Sequence, residues 1–526
     1  MKRYLPLAFT AFALSLQAQE PPQERAQAPA EPRGLVKTSE HAAPGYTLVA
    51  PLSSGDTYLV DLAGNSVHEW KSDKPPGHSV FLLENGHLMR AERIDNPLFF
   101  GGGQGGRLRE FDWDGALVWE YTLSDEKYCA HHDFEVLPNG NVLVIAWELR
   151  SAEEAKAAGR KIEGAFWPDC VLEVEPVRPS GGKIVWEWHA FDHLLKDGEA
   201  VAHPERIDLN ADGAQRAPGS TPEELAKLRK LGYVGDEPPK RRGPGGGGPG
   251  GGGPPGISAD WLHTNGIDYR ADLDLVVLSI HNLSEVWVID HSTTTAEAAS
   301  SKGGKRGHGG DLLLRWGNPQ THGAQKYGSR ELSAQHDAQW IGDGLAGAGH
   351  MLVFNNGGRG DSHQSIVDEV ALPVDEASLA KPMDVKLLAE LKPCWSYTSE
   401  AINASHISGA QRLANGDTLV TNGESGRLVE VDAKGEVVWE WLNPFKGELR
   451  MGGGPGGPGG PGGRGPRRGP PGDGPPRDGP QRGAGPRGGP GPGGMGDMQH
   501  GLFRCDRYAP DFPGLAQLKV LTGEKR

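Results

Sequence analysis

An all-β fold, a six-bladed β-propeller, is what this sequence predicts, and three observations predict it. Six times an outer-strand tryptophan is followed by a histidine that opens the next apolar run: Trp70 and His78, Trp119 and His132, Trp186 and His263, Trp316 and His336, Trp395 and His406, Trp439 and His500. Three of these runs turn back at Asn-Gly (Asn85-Gly86, Asn139-Gly140, Asn415-Gly416). Asn-Gly between apolar runs is a strong hairpin signal, and a type I′ turn would put both residues at positive φ. A second hairpin then follows the first, as in Leu108–Asp112 with Leu117–Tyr121 and Leu428–Asp432 with Val437–Trp441. Two hairpins make a four-stranded blade, which is stable only when stacked on others, with the tryptophans filling the wedge between neighbours.

Taken along the chain, Met1-Lys2-Arg3, the apolar run Tyr4–Leu16 and the small Ala18 have the layout of a secretory signal peptide over residues 1–18. Residues 19–43, rich in Gln, Glu, Pro and Ala, read as a disordered leader, and residues 44–526 as the propeller. The strands between Gly45 and Val60 have no histidine-led partner, so they are expected to share a blade with the C-terminal segment opened by His500 and close the ring. Two insertions, at about 190–257 and 446–498, interrupt the rhythm and carry the Pro/Gly tracts Arg241–Gly256 and Gly452–Gly494. In the second, loss of a strict period of three argues against a collagen helix and favours a disordered surface loop. Thr221–Gly232 reads as a short helix, with Pro near its start and Gly at its end.

Composition narrows the function. Of 526 residues, 36% are hydrophobic and 23% charged, with 79 Gly and 42 Pro diluting an otherwise globular chain. A formal charge of -15 argues against nucleic acid as a partner. No run is long and apolar enough to span a bilayer, so a periplasmic or secreted protein is expected. Cys129, Cys170, Cys394 and Cys505 are too far apart for a CxxC redox pair or a zinc knuckle.

Equivalent positions of a closed repeat meet at its axis, so the repeat-start histidines are expected to converge. Clustered imidazoles permit metal ligation, acid/base work or nucleophilic catalysis. His131-His132-Asp133 keeps a metal-dependent hydrolase open. Asn355-Asn356-Gly357-Gly358-Arg359, just past the His336 hairpin, instead suits a tetrahedral oxyanion. The aromatics Trp261, Trp340 and Tyr269 are candidates to hold an aryl ring. Asp208-Leu-Asn210-Ala-Asp212-Gly213 matches the opening of a calcium loop but has Gly219 where the twelfth-position acid belongs.

The stretches 260–290, 311–319 with Gly-Asn-Pro, 335–341, 354–359 and 407–445 with Ile-Ser-Gly-Ala-Gln-Arg together resemble the bacterial arylsulfate sulfotransferases. The resemblance implies an exported six-bladed propeller that moves a sulfuryl group from an aryl sulfate ester to a phenolic acceptor, without a cofactor or nucleotide sulfate donor. Its nucleophilic histidine matches His406, and its supporting positions match Arg359, expected as an anion clamp, and His263 and His336, expected as acid/base and oxyanion partners. Asn265, Asn356 and His132 beside them are the expected substrate-binding residues. A non-catalytic exported propeller that binds a ligand or protein is the competing expectation, since fold alone does not fix function.

Overall fold

The computed structural model describes residues 32–518 except 100, 162–163, 165, 197–199, 212–258, 361–363 and 448–496. The signal peptide, the helix at Thr221–Gly232 and both Pro/Gly tracts therefore lie outside the described residues. The unit that begins at Arg33 contains six antiparallel sheets, the blades of a six-bladed β-propeller.

The second blade runs outward from the axis through Pro76–Leu82, Leu88–Arg93, Gly106–Phe111 and Leu117–Thr122, and the third through Tyr128–Val136, Val142–Glu148, Asp169–Pro176 and Gly182–His189. The fourth comprises Thr264–Arg270, Leu275–Ile280, Glu285–Asp290 and Leu314–Trp316. The fifth comprises His336–Trp340, Met351–Asn355, Ile366–Val370 and Trp395–Tyr397, and the sixth Gly409–Arg412, Thr418–Asn422, Arg427–Val431 and Val437–Leu442. The first blade is shared between the chain's two ends. Its three outer strands, Tyr46–Val49, Thr57–Val60 and Ser66–Trp70, take their innermost partner from Asp506–Tyr508, with Leu48 opposite Asp506.

One strand lies inside the segment read as leader. Gly34–Thr38 pairs with Val437–Leu442 as a fifth, outermost strand of the sixth blade. Only one of its edges is paired and its side chains are mostly exposed, so it lacks the buried apolar alternation that makes a strand visible in sequence.

The six tryptophans all fall on fourth strands, and each indole N–H reaches the connection between strands three and four of the next blade. Trp70 donates to Asp112 O, Trp119 to Gly181 O, Trp186 to Thr293 Oγ1, Trp316 to Leu391 O, Trp395 to Ala433 O and Trp439 to Leu62 O, at 2.8–3.4 Å. The last of these joins the sixth blade to the first. Each tryptophan thus both fills the wedge and fixes the neighbour's distance.

The three Asn-Gly hairpins form, but through a different turn from the one expected. Only the glycines have positive φ (85°, 85° and 90°), and Gly86 N–H, for example, donates to Leu83 O in a type I turn followed by a left-handed glycine. Asn85, Asn139 and Asn415 stay right-handed because their side-chain oxygens accept from the backbone N–H two residues on, at 2.9–3.0 Å.

Candidate active site

At one end of the innermost strands the backbone leaves regular pleating. Register breaks occur at Pro76–Val80, Thr264–Gly266 and His336–Gln339, as well as in the third blade where Ala130–Phe134 faces Val144–Ala146. Within these bulges, or just before one in the case of His263, the residues His78, His132, His263 and Asp337 have positive φ (96°, 54°, 52° and 55°). Each costs about 1–2 kcal/mol for a residue with a Cβ, and such bulges re-aim side chains. Here they turn imidazoles toward the axis.

Ring centroids run 5.3 Å from His78 to His132, 4.5 Å to His263, 5.1 Å to His281 and 5.4 Å to His336. His406 joins from the sixth blade, where the adjacent Ile407 N–H donates to His336 Nε2 at 3.1 Å. His132, His263 and His336 are fully buried and His406 is 1% exposed. His500, expected to supply the sixth imidazole, does not: its Nδ1 lies 3.0 Å from Phe445 O, and Phe503, 4.9 Å from the His78 ring, takes the axial place. The C-terminal strand begins six residues after His500, so the repeat's phase shifts at ring closure. His281 was not singled out in the sequence. It follows the second strand of the fourth blade, where the fifth has Asn356 just past its own second strand; that offset was the available signal.

The imidazoles fall into two chemical kinds. Two are backed by carboxylates: His263 Nδ1 bonds Asp260, whose other oxygen accepts from Trp147 Nε1 at 3.0 Å, and His406 Nδ1 lies 2.7 Å from Glu424. Burial would raise the Asp260 carboxyl, but His263 beside it holds it below its ordinary value. In both pairs Nδ1–H donates to the carboxylate, which puts the remaining lone pair on Nε2. The other kind is neutral. Burial first, and neighbouring positive groups second, push His78 and His281 down to about 3 and His132 and His336 well below the usual range.

His336 has a fixed tautomer. Asn356 Nδ2 donates to Ala404 O and Ile407 O at 3.1 and 3.0 Å, so its Oδ1 faces His336 Nδ1 at 2.8 Å and accepts from it. His336 Nε2 is then an acceptor for Ile407, which suits a positioning role better than the acid role expected of it. Asn265, fully buried, donates to Gln335 O at 2.8 Å and holds the strand entry of the same blade. His132 lies under Gly103 (φ 84°), where a Cβ would stand 1.9 Å from its Cε1, and its Nδ1 is 2.8 Å from His131 Nδ1.

Arg359, the expected anion clamp, is placed elsewhere. Its guanidinium bonds Asp368 and lies 3.2 Å from Ser396, both on the outer strands of the fifth blade, and 3.1 Å from Glu331 in the segment before that blade. Two buried carboxylates draw it outward more strongly than neutral imidazoles could hold it at the axis. Tyr269 and Trp340 lie toward the other end of their strands, Tyr269 on Asp274 and Trp340 near Arg270, whereas Trp261 packs on Phe166. Glu424, past the second strand of the sixth blade, and Phe503 were likewise beyond a reading of repeat starts.

Beneath the imidazoles Arg504 spans the axis, 2.7 and 3.0 Å from the Asp133 oxygens and 3.0 Å from Asp337. One layer further, burial raises Glu135 well above the usual range, Asp268 to about 7 and Asp506 to about 6. Asp208 accepts from Asn210 N–H at 2.9 Å in a local turn; Asp212, its neighbour in the calcium-like motif, lies outside the described residues.

A family model for arylsulfotransferase (ASST) matches residues 36–428. The chain belongs to the arylsulfotransferase family. The match covers five blades' worth of histidine-led strands and, with the axial imidazoles, supports aryl sulfotransferase activity in general. Among curated proteins no relative matches. Solved structures that resemble this chain include a protein of unknown function from Bacteroides caccae (13% identity, TM-score 0.39, 77% of this chain and 97% of that one). The periplasmic gluconolactonase PpgL of Pseudomonas aeruginosa (14%, 0.38, 77% and 98%) and virginiamycin B lyase of Staphylococcus aureus (9%, 0.34, 78% and 88%) are others. At these TM-scores the likenesses carry no argument about this chain. Among the described residues no helix is long and apolar enough to cross a membrane.

Proposed function

We propose that this protein transfers a sulfuryl group from an aryl sulfate ester to a phenolic acceptor in two displacements at His406, and that its N-terminal segment directs export to the periplasm or medium. The observation that carries the reading is the pairing of a buried imidazole with a carboxylate, His406 with Glu424, inside a ring of neutral imidazoles. Glu424 fixes the tautomer so that His406 Nε2 presents its lone pair to sulfur. The N–S bond forms as the S–O(aryl) bond breaks, and the phenolate leaves. His263, backed by Asp260, is the group suited to take the proton of the incoming phenol on Nε2 as that oxygen attacks sulfur, the new S–O bond forming as the N–S bond breaks; the proton then passes to the departed phenolate or to solvent. The burial of His406 among neutral imidazoles limits loss of the intermediate to hydrolysis.

Incubating the protein with 4-nitrophenyl sulfate tests this. Nitrophenolate release should depend on added phenol, and without phenol a His406-containing peptide should gain the mass of a sulfuryl group. A His406→Asn variant that folds and still turns over would refute the assignment, and release without acceptor or adduct would mark a hydrolase.

A further inference from the structure

A second cluster of donors lies at the far end of the fifth blade, and nothing in the transfer chemistry uses it. His350, Glu369 and Cys394 bring Nδ1, a carboxylate oxygen and Sγ within 4.8 Å of one another. The three come from successive strands: His350 precedes Met351–Asn355, Glu369 lies on Ile366–Val370, and Cys394 precedes Trp395–Tyr397. His336 pairs with Phe354 at one end of this sheet and Trp340 with Met351 at the other, so the cluster and the imidazole ring are a strand length apart, about 15 Å.

From this geometry we propose that His350, Glu369 and Cys394 form a transition-metal site that takes Zn2+, with water in a fourth position. The donor set is the first reason. Thiolate, imidazole and carboxylate together suit a borderline-soft ion, not calcium or magnesium, which take oxygen ligands. Distance is the second. Zinc–sulfur and zinc–nitrogen bonds of about 2.3 and 2.0 Å place tetrahedral S and N about 3.6 Å apart; here Cys394 Sγ is 3.8 Å from His350 Nδ1.

Nδ1 is 2.7 Å from Glu369 Oε1 across a shared proton, and a metal ion in the proton's place would widen that gap to about 3.3 Å. The frame is the third reason. Arg412 holds the other oxygen, Glu369 Oε2, at 2.6 Å and leaves Oε1 for the metal, as outer partners of metal ligands do. Cys394 N–H donates to Glu369 O at 2.9 Å, and Ile341 N–H to His350 O at 2.8 Å. Cys394 is exposed and His350 half-exposed, so water can complete the coordination. Binding releases the thiol proton to solvent and moves the imidazole proton from Nδ1 to Nε2.

The test is a titration of the full-length protein with Co2+ as the spectroscopic probe, followed by displacement with Zn2+. One equivalent should produce a thiolate-to-cobalt charge-transfer band and the visible d–d bands of a tetrahedral ion. Cys394→Ser should abolish the charge-transfer band, and His350→Ala should weaken Co2+ binding at least tenfold. Zn2+ should bleach the spectrum and raise the Tm of the native protein but not that of Cys394→Ser. Absence of the band in excess Co2+, or a band that survives Cys394→Ser, would overturn the proposal; because the readout is spectroscopic, neither result depends on sulfuryl transfer.

Discussion

Glu424 accepts from His406 Nδ1 while also bonding Ser405, so it fixes both the ring and the chain that carries it. Glu424→Gln would keep the size and lose the charge. We expect kcat for aryl sulfate turnover to fall about a hundredfold with KM nearly unchanged, and Glu424→Asp to restore part of the loss. Steady-state kinetics on folded variants checks this; equal losses in Gln and Asp would mean that Glu424 serves only packing. His406 and His263 were legible as sequence because they open repeats. Their carboxylates were legible only in part: Asp260 stands three residues before His263, but Glu424 follows the second strand of its blade and meets His406 through the hairpin.

In the blades, Trp439 shows how one residue joins two elements, being 1% exposed and bonded to Leu62 O across the ring closure. Trp439→Ala should cost about 3–5 kcal/mol and Trp439→Phe about 1 kcal/mol, read as shifts in urea midpoint. The axial imidazoles and the innermost strands carry opposite pH dependences. His78 and His281, folded at about 3 against 6.5, give stability that is present above pH 6.5 and lost as pH falls toward 3. Asp268, folded at about 7 against 3.8, favours the folded state below pH 3.8, and that advantage is lost as pH rises through 7. Asp268→Asn should therefore raise Tm at pH 8, leave it unchanged near pH 4, and steepen the loss of stability on acidification. A uniform effect across that range would show that Asp268 is not protonated in the folded protein. Hairpin existence was visible in Asn-Gly; turn type was not, because the asparagine side chains, acting locally on the next strand, override the preference for a double positive-φ turn.

At the scale of the molecule, closure joins chain ends that are hundreds of residues apart. A chain ending at His500 would lose the strand Asp506–Tyr508 from the first blade, the Arg504 bridge between Asp133 and Asp337, and Phe503 beside His78. It should not show a cooperative thermal transition; a native-like melting curve would mean that five complete blades suffice. The sequence by itself determined the six-fold repeat, the blade plan, the wedge tryptophans and the meeting of histidines, because each depends on periodic local patterns that recur at fixed offsets. Only the tertiary structure decided which imidazoles gain a carboxylate, that Phe503 replaces His500 at the axis, that Arg359 turns outward to Asp368 and Glu331, and that Gly34–Thr38 adds an edge strand. Those outcomes depend on competition among partners distant in sequence: burial makes unpaired charge costly, so each charged group goes to the strongest available counter-charge, which the repeat pattern does not encode.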